Sequence, residues 1–284
     1  MTRRLELEIS ESVWRELNRR QAEIGGDLSD IVDTALAQAF DLERHSLFQV
    51  STSNALVQGV FAGAITVGEL RSHGDFGLGT FAGLDGELLM LDGTCYRAGF
   101  GGQVTPVDDG QEVPFALVTR FITDLENRIE AMPDIHSLTA AIDRILPSEN
   151  LFVGIRVDGA FGSLMMRAAC PARDGEGLLE ATRHQSEFQT EDIEGTLIGF
   201  WAPEYSRAVS VPGYHFHFLS ADRTMGGHVL DVRSGPLLVQ LQTESDVHLA
   251  MPETAEFLAA DLTGDHHNAL RAAETATGVG DGAG

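Results

Sequence analysis

The sequence contains no lysine, and its 19 basic side chains are all arginines. A lysine amino group is needed to form a Schiff base with a carbonyl substrate, to hold pyridoxal phosphate covalently, and to complete the GxxxxGK[ST] loop that binds nucleotide phosphates. The absence of lysine therefore excludes these three kinds of chemistry.

Cysteine is scarce, and long apolar runs are missing. Cys95 and Cys170 are too few for a disulfide framework and form no CxxC pair, so we expect two structural, buried thiols. No apolar run approaches the roughly 20 residues of a transmembrane helix, and the start, MTRRLELEIS, lacks the apolar stretch of a secretion signal. We expect a cytoplasmic protein with no membrane partner.

Acidic side chains far outnumber basic ones. The 43 aspartates and glutamates give a formal net charge of −24, which opposes binding to nucleic acid and to anionic lipid. Such a surface suits a protein that works in strong salt, because at 1 M salt the Debye length falls to about 3 Å and repulsion within the chain is screened.

The amino-terminal part predicts a small strand–helix–helix module. Apolar and charged residues alternate over residues 3–9, as in a half-buried strand. A helix that Ser10 or Ser12 can cap follows and is broken at Gly25–Gly26, and a second helix begins at Ser29.

This order of elements resembles the ribbon–helix–helix fold over residues 1–46. In that fold the strand pairs with its twin in a dimer and, in repressors, lies in the major groove of DNA. The positions that would face DNA are Arg4, Glu6 and Glu8, whose net negative charge opposes contact with phosphates. We therefore predict that residues 1–46 serve dimerisation and that nucleic acid is not a partner.

From Phe48 onward the pattern changes to short apolar runs separated by glycine, Asp-Gly and proline, which predicts mainly β structure with a few helices. Hairpins are predicted around Asp92–Gly93 and Asp158–Gly159, because Asp-Gly supplies the positive φ angles of tight turns. Residues 133–146 have helical spacing and stop before Pro147.

The predicted fold class is α+β, with two mixed or antiparallel β-sheets and a few packing helices, preceded by the strand–helix–helix module. We expect a dimerisation segment at residues 1–46 and a second, larger domain at residues 47–284. Two similar hairpins suggest two sheet-based halves, at about residues 47–147 and 148–284.

Three histidines lie close together in PGYHFHFLSADRTMGGHVLDV, residues 212–232. Aromatic residues alternate with His215 and His217, so a strand would send both imidazoles to one face and the aromatic rings to the other. The turn-rich SADRTMGG can return the chain as an antiparallel strand that places His228 opposite the pair. Three imidazoles with an open fourth position are typical of catalytic zinc, although ligand type alone leaves Fe, Ni and Cu open.

Together with HGDFGLGTFAGLDGEL and IRVDGAFGSLMMR, this motif resembles the α-acetolactate decarboxylase family from about Phe48 to Glu274. The resemblance implies a zinc enzyme, usually a homodimer, that removes CO2 from 2-acetolactate to give (R)-acetoin in the acetoin and butanediol pathway. It implies that His215, His217 and His228 bind the metal.

The resemblance also implies three catalytic side chains. Glu87 in LDGEL and Glu274 in RAAE would be the site carboxylates, and Arg167 in SLMMR would bind the substrate's carboxylate. The metal would stabilise the enediolate left by the departing CO2, and one of the two glutamates would deliver the proton. Apart from the resemblance, Arg167 would more often make a structural salt bridge, and Glu87, at a turn, would more often be exposed.

Two other functions fit parts of the sequence. A cupin-like metal-dependent oxygenase or isomerase also uses HxH and a third histidine on a β scaffold, but it normally has an acid a few residues after the pair, where only Asp222 is close. A DNA-binding regulator with a metabolite-sensing domain would use residues 1–46, but the acidic face of the predicted strand opposes it.

If the acidic surface is matched to strong salt, the midpoint of thermal unfolding should rise from low salt to molar sodium chloride, because screening removes repulsion among the carboxylates. Circular dichroism on the full chain measures both midpoints. An unchanged midpoint would contradict the prediction.

Overall fold

A computed structural model describes residues 6–24, 27–39, 45–173, 175–264 and 267–275. The chain divides into two compact units, Met1–Arg44 and His45–Gly284. Among the described residues, none of the helices combines the length and the hydrophobicity needed to cross a bilayer.

The first unit contains two helices, α1 (Glu11–Ile24) and α2 (Leu28–Ala39). The hydroxyl of Ser10 accepts a backbone hydrogen bond of 3.4 Å from the first turn of α1, so it caps this helix as predicted. The carboxylate of Asp27 caps α2 by accepting a hydrogen bond of 2.8 Å from the N–H of Ser29. The second helix therefore begins one residue before the predicted start.

The predicted strand at residues 3–9 is wrong where the structure describes it, because residues 6–10 form no strand. A strand needs a neighbour for its backbone hydrogen bonds, and the described part of this unit contains no other strand. Residues 1–5 and Gly25–Gly26 lie outside the described residues. The resemblance of residues 1–46 to a ribbon–helix–helix dimer stays a prediction.

The second unit is built from short strands, three long strands of 17 to 19 residues and short helices. Its strands are β1 (Ser46–Val50), β2 (Ile65–Thr66), β3 (Phe76–Thr80), β4 (Glu87–Leu91), β5 (Thr94–Ala98), β6 (Val104–Pro106), β7 (Glu112–Val113), β8 (Phe115–Thr119), β9 (Leu125–Ile129), β10 (Phe152–Ala168), β11 (Ser186–Ala202), β12 (Gly213–Ser220), β13 (Gly226–Glu244) and β14 (Asp246–Ala250). Its helices are α3 (Ser53–Val57), α4 (Val67–His73), α5 (Ile135–Asp143), α6 (Leu178–Ala181), α7 (Ala255–Ala259) and α8 (His267–Thr275).

The strands form two main sheets. The first is a mixed seven-stranded sheet in the order β14-β1-β8-β3-β4-β5-β6, in which β1 and β14 are parallel. The second is an antiparallel five-stranded sheet in the order β10-β11-β12-β13-β9, and β10 also pairs with β13, so that four strands close on themselves. The predicted α+β class with mixed and antiparallel sheets and a few helices is confirmed.

The two sheets pack against each other through a shared apolar core. Leu78 and Leu89 of the first sheet belong to the same buried cluster as Ile198 and Leu219 of the second. A separate cluster lies behind β12 on the second sheet, where Phe218 and other buried side chains pack under α5. The face of β12 that points towards the first sheet is therefore the face that can form a site between the sheets.

The first predicted hairpin is confirmed, and the second is wrong. β4 and β5 are joined by Asp92–Gly93, whose φ angles are 51° and 76°. Asp158–Gly159 instead lies inside β10, a single strand of 17 residues that pairs on both sides. Gly159 packs closely there, because a Cβ would lie 2.6 Å from a side-chain atom of Leu237 and 3.2 Å from the carbonyl oxygen of Pro236. The carboxylate of Asp158 is engaged by the guanidinium of Arg156 at 2.8 Å.

The predicted helix at residues 133–146 is confirmed as α5, which Asp134 caps by accepting a hydrogen bond of 2.7 Å from the N–H of Ser137. The sheets do not divide at residue 147, since β9 joins the second sheet and β14 joins the first. The chain thus crosses between the sheets more than once, which ties them into one catalytic unit.

One acidic side chain is buried far from any predicted site. Glu244, at the end of β13, is 1% exposed, and its Oε1 accepts a hydrogen bond of 3.0 Å from the amide of Gln242. Burial raises the pKa of Glu244 to about 8. The folded protein therefore holds this proton at pH values at which the unfolded chain has lost it.

We expect this group to lower the free energy of unfolding as pH rises from about 4.5 to about 8, since each unit of difference in pKa is worth about 1.4 kcal/mol. Glu244→Gln replaces the protonated carboxyl group by a neutral amide of the same size. The free energy of unfolding of this variant should therefore depend less on pH and should exceed that of the wild type near pH 8. Urea unfolding across this range measures the difference. The matched control is Glu130→Gln at an exposed position, and parallel curves for Glu244→Gln and wild type would contradict the prediction.

Candidate active site

The histidine cluster lies on the face of β12 and β13 that points towards β4. His217 and His228 are directly opposed in the antiparallel pairing of β12 with β13. His215 lies two residues from His217 and so shares its face. His228 is also opposed to Arg167 of β10, so three adjacent strands place an arginine and two histidines in one row.

The aromatic residues between the histidines occupy the opposite face, as predicted. Phe216 and Phe218 are buried in the cluster behind β12, where Phe218 packs edge-on against Phe161 with ring centroids 5.4 Å apart. The hydroxyl of Tyr214 donates a hydrogen bond of 2.6 Å to the carboxylate of Asp143 at the end of α5. These contacts hold β12 in the orientation that turns both imidazoles towards the first sheet.

The three imidazoles converge. One nitrogen from each of His215, His217 and His228 can be chosen so that the three lie within 4.8 Å of one another. Nε2 of His215 is 3.1 Å from Nδ1 of His228. The predicted grouping of the three histidines is confirmed, and the group could hold a metal ion.

The tautomer of His217 is set by a backbone carbonyl. Its Nδ1 is 2.9 Å from the oxygen of Leu88, which can only accept, so Nδ1 carries the proton and donates. Nε2 is then the ring nitrogen that can bind a metal, and a carbonyl that fixes the ring in this way is a common second partner of a metal-binding histidine. The same Nε2 is 3.6 Å from Oε2 of Glu87.

The electrostatics of the site keep His215 neutral. Desolvation within the protein, together with the smaller effect of the positive charge of Arg167, lowers the pKa of His215 to about 3. A neutral imidazole is the form that binds metal ions, so no proton has to be removed before His215 can act as a ligand.

Glu87 is buried, not exposed as its place after a turn would suggest. It is 7% exposed, and its Oε1 accepts a hydrogen bond of 2.9 Å from the N–H of Ala169. The turn before it is fixed by Thr80, whose hydroxyl donates to the carbonyl of Gly86 at 2.9 Å. These bonds hold the carboxylate beside the histidines.

Arg167 is 6% exposed and has two neutral acceptors at Nη1. One is Oε1 of Gln185, at 3.1 Å, and the other is the carbonyl oxygen of Ala273 in α8. The carboxy-terminal helix therefore reaches the site, and its next residue is Glu274. The side chain of Glu274 lies outside the described residues, so its predicted role is not tested.

These side chains line one cavity of about 60 Å³. The three histidines, Glu87 and Arg167 share it with apolar side chains such as Leu56, Phe115 and Val211. Sequence reasoning missed three polar residues of the lining, which are Thr80, Thr182 and Gln185. Thr80 lies within the motif HGDFGLGTFAGLDGEL, a few residues before the turn that precedes Glu87, and this proximity is the signal that could have indicated it. Thr182 and Gln185 lie in a segment that has no recognisable sequence pattern.

The two cysteines differ in their surroundings. Cys95 is buried as expected, and burial raises the pKa of its thiol to about 12. Cys170 is half-buried and lines the cavity, so the expectation of a buried structural thiol is wrong for this residue. Cys170 lies two residues after the end of β10, the strand that carries Arg167 into the same cavity.

The donor set fits a zinc ion. Three imidazole nitrogens with a carboxylate oxygen nearby are ligand types that Zn²⁺ accepts, and catalytic zinc sites use three protein ligands and one open position. Here the nitrogens of His215, His217 and His228 would be the ligands. The carboxylate of Glu87 lies next to the one contributed by His217.

Residues 47–264 match the model of the alpha-acetolactate decarboxylase family. The chain belongs to this family. The prediction of a carboxy-lyase is thereby confirmed, and neither the cupin-like oxygenase nor the DNA-binding regulator is supported.

Similar proteins cover most of the chain. The alpha-acetolactate decarboxylase of Methylococcus capsulatus is 40% identical over 233 residues, which are 82% of this chain and 90% of that protein. The enzyme of the same name from Bacillus licheniformis is 35% identical and covers 86% of this chain and 96% of that protein. The crystal structure of alpha-acetolactate decarboxylase from Bacillus subtilis strain 168 superposes with a TM-score of 0.78 at 34% identity, covering 82% of this chain and 100% of that one.

We expect His215→Ala to abolish tight metal binding. Catalytic zinc sites use three protein ligands, and the variant would offer only two of them, His217 and His228. After dialysis of zinc-loaded protein, elemental analysis should find about one ion per chain in the wild type and less than about a tenth of that in the variant. His136→Ala, at an exposed position on α5, is the control and should keep its metal. A full complement of zinc in His215→Ala would rule out the assigned ligand.

Proposed function

We propose that the protein catalyses the zinc-dependent decarboxylation of 2-acetolactate to (R)-acetoin and CO2, as part of acetoin and butanediol formation. The observation that carries this proposal is the convergence of three histidines, Glu87 and Arg167 in one cavity of a chain that belongs to the alpha-acetolactate decarboxylase family.

The substrate defines what the residues have to do. In 2-acetolactate a ketone lies β to the carboxylate, so the electron pair of the broken carbon–carbon bond flows onto the ketone oxygen and leaves an enediolate. A chain without lysine offers no imine as an acceptor for these electrons. A zinc ion held by His215, His217 and His228 would supply a Lewis acid for that developing negative charge.

Arg167 is proposed to bind the substrate's carboxylate. A guanidinium can hold a carboxylate through two parallel hydrogen bonds and so fix its orientation. Arg167 is opposed to His228 across β10 and β13, and both side chains line the cavity. The carboxylate would thus be held beside the metal-binding face, with the bond to be broken fixed in direction.

Glu87 and Glu274 are proposed as the carboxylates that handle the proton. The N–H of Ala169 fixes one oxygen of Glu87, and the other oxygen lies 3.6 Å from His217. A carboxyl group held in this way can deliver a proton to only one face of the flat enediolate, which would make the product chiral.

We also propose that the protein is a homodimer joined through residues 1–46. Helix α1 and the residues before it expose apolar side chains, among them Leu7 at 62% and Val13 and Trp14 at 47% each. A unit of this size cannot bury enough apolar surface alone, and a second copy would cover it.

The proposed reaction is tested by incubating the purified protein with racemic 2-acetolactate while acetoin and CO2 are measured. We expect equal amounts of the two products, no uptake of O2, loss of activity with a chelator and recovery with Zn²⁺. Full activity of protein shown to be free of metal would contradict the zinc dependence. O2 consumption would favour an oxygenase.

We expect Arg167→Ala to retain metal but to lower kcat/KM at least about tenfold, or about 1.4 kcal/mol, because the substrate's carboxylate loses its partner. Steady-state kinetics and elemental analysis together measure this. Arg207→Ala, whose side chain is 56% exposed, is the control for loss of one positive charge. An unchanged kcat/KM would remove Arg167 from the site.

A further inference from the structure

Arg167 is contacted by a residue to which neither the sequence patterns nor the family match assigns a role. Gln185 lies between a 3₁₀ turn, Thr182–His184, and β11. Its Oε1 accepts a hydrogen bond of 3.1 Å from Nη1 of Arg167. Its Nε2 donates a hydrogen bond of 3.1 Å to Oε1 of Glu187.

The orientation of the Gln185 amide follows from its two neighbours. An arginine can only donate and an ionised carboxylate can only accept, so rotating the amide by half a turn would break both bonds. The backbone around it is also fixed. The N–H of Gln185 donates to the carbonyl of Thr182 at 3.4 Å, and the hydroxyl of the next residue, Ser186, accepts from the N–H of Gly101 at 3.1 Å.

The amide bridges two residues of opposite charge. Arg167 and Glu187 are directly opposed in the antiparallel pairing of β10 with β11, so their side chains leave the sheet on the same side. A direct ion pair between them would direct the guanidinium towards β11. With Gln185 as the bridge, Nη1 is bonded instead to a neutral oxygen at the edge of the cavity.

We propose that Gln185 is a positioning residue for the decarboxylation. It fixes the plane of the Arg167 guanidinium and keeps Glu187 from competing with the substrate's carboxylate for it. This inference rests on the proposed role of Arg167. It explains why an amide suits this position: a carboxylate of the same size would accept the same hydrogen bond but would bring a negative charge to the group that has to bind an anion.

The experiment uses steady-state kinetics of the zinc-loaded full chain with racemic 2-acetolactate. Gln185→Glu should raise KM at least about tenfold while kcat changes by less than about threefold, because binding of the carboxylate is weakened more than the later steps. Gln240→Glu is the matched control, since the Gln240 amide also donates to a glutamate, Glu126, at 3.1 Å but lies outside the cavity lining. Its KM should equal that of the wild type.

A second set of variants separates positioning from a merely structural effect. Gln185→Met keeps the size but removes the bridge, so KM should rise about fivefold as Arg167 turns towards Glu187. Adding Glu187→Gln removes the competing carboxylate and should restore KM to within about twofold of the wild type, whereas independent damage would add up. Metal content and the unfolding midpoint are measured for every variant.

The outcomes are distinguishable. An active wild type with unchanged KM in Gln185→Glu, or no recovery in the double variant, overturns the role of Gln185 and leaves the decarboxylase activity standing. A wild type that forms no acetoin overturns the proposed function and this inference with it. If Gln185→Glu does not fold, the test depends on Gln185→Met combined with Glu187→Gln. Recovery of KM in that double variant supports the positioning role of Gln185, and no recovery overturns it.

Discussion

The pairing of β12 with β13, with His217 opposite His228, is the constraint on which the site depends. Side chains alternate between the faces of a strand, so a slip of one residue would turn His228 away from the other imidazoles. The register is held on the opposite face, where Phe216 and Phe218 are buried in the core of the second sheet. The same alternation therefore supplies stability on one face and ligands on the other.

The second feature that shapes the site is the packing of one sheet on the other. His217 donates to the carbonyl of Leu88, and Glu87 accepts from the N–H of Ala169, so each sheet orients a side chain of its neighbour. Arg167 extends this to the carboxy-terminal helix through the carbonyl of Ala273. Burial keeps the imidazole of His215 neutral, which is the form that can bind a metal ion. The positive charge of Arg167 lies close by and suits an anionic substrate.

Much of the site could be predicted from the sequence, because it depends on local patterns. The alternation in YHFHF and the turn-rich link to His228 determine a shared face and an antiparallel return, and both are confirmed. Asp158–Gly159 forms no turn, and the sequence alone could not show this, because a glycine that packs closely against Leu237 looks the same in sequence as a glycine needed for a turn. The roles of Gln185 and Ala273 could not be predicted, since they arise only when distant segments meet at Arg167.

The central claim is that one metal ion lies among the three histidines. Crystals of the zinc-loaded protein, measured with X-rays on either side of the zinc absorption edge, test it directly. The account predicts a single anomalous peak about 2.1 Å from one nitrogen each of His215, His217 and His228. A map with no peak among these rings, or with zinc bound only at other side chains, would contradict it.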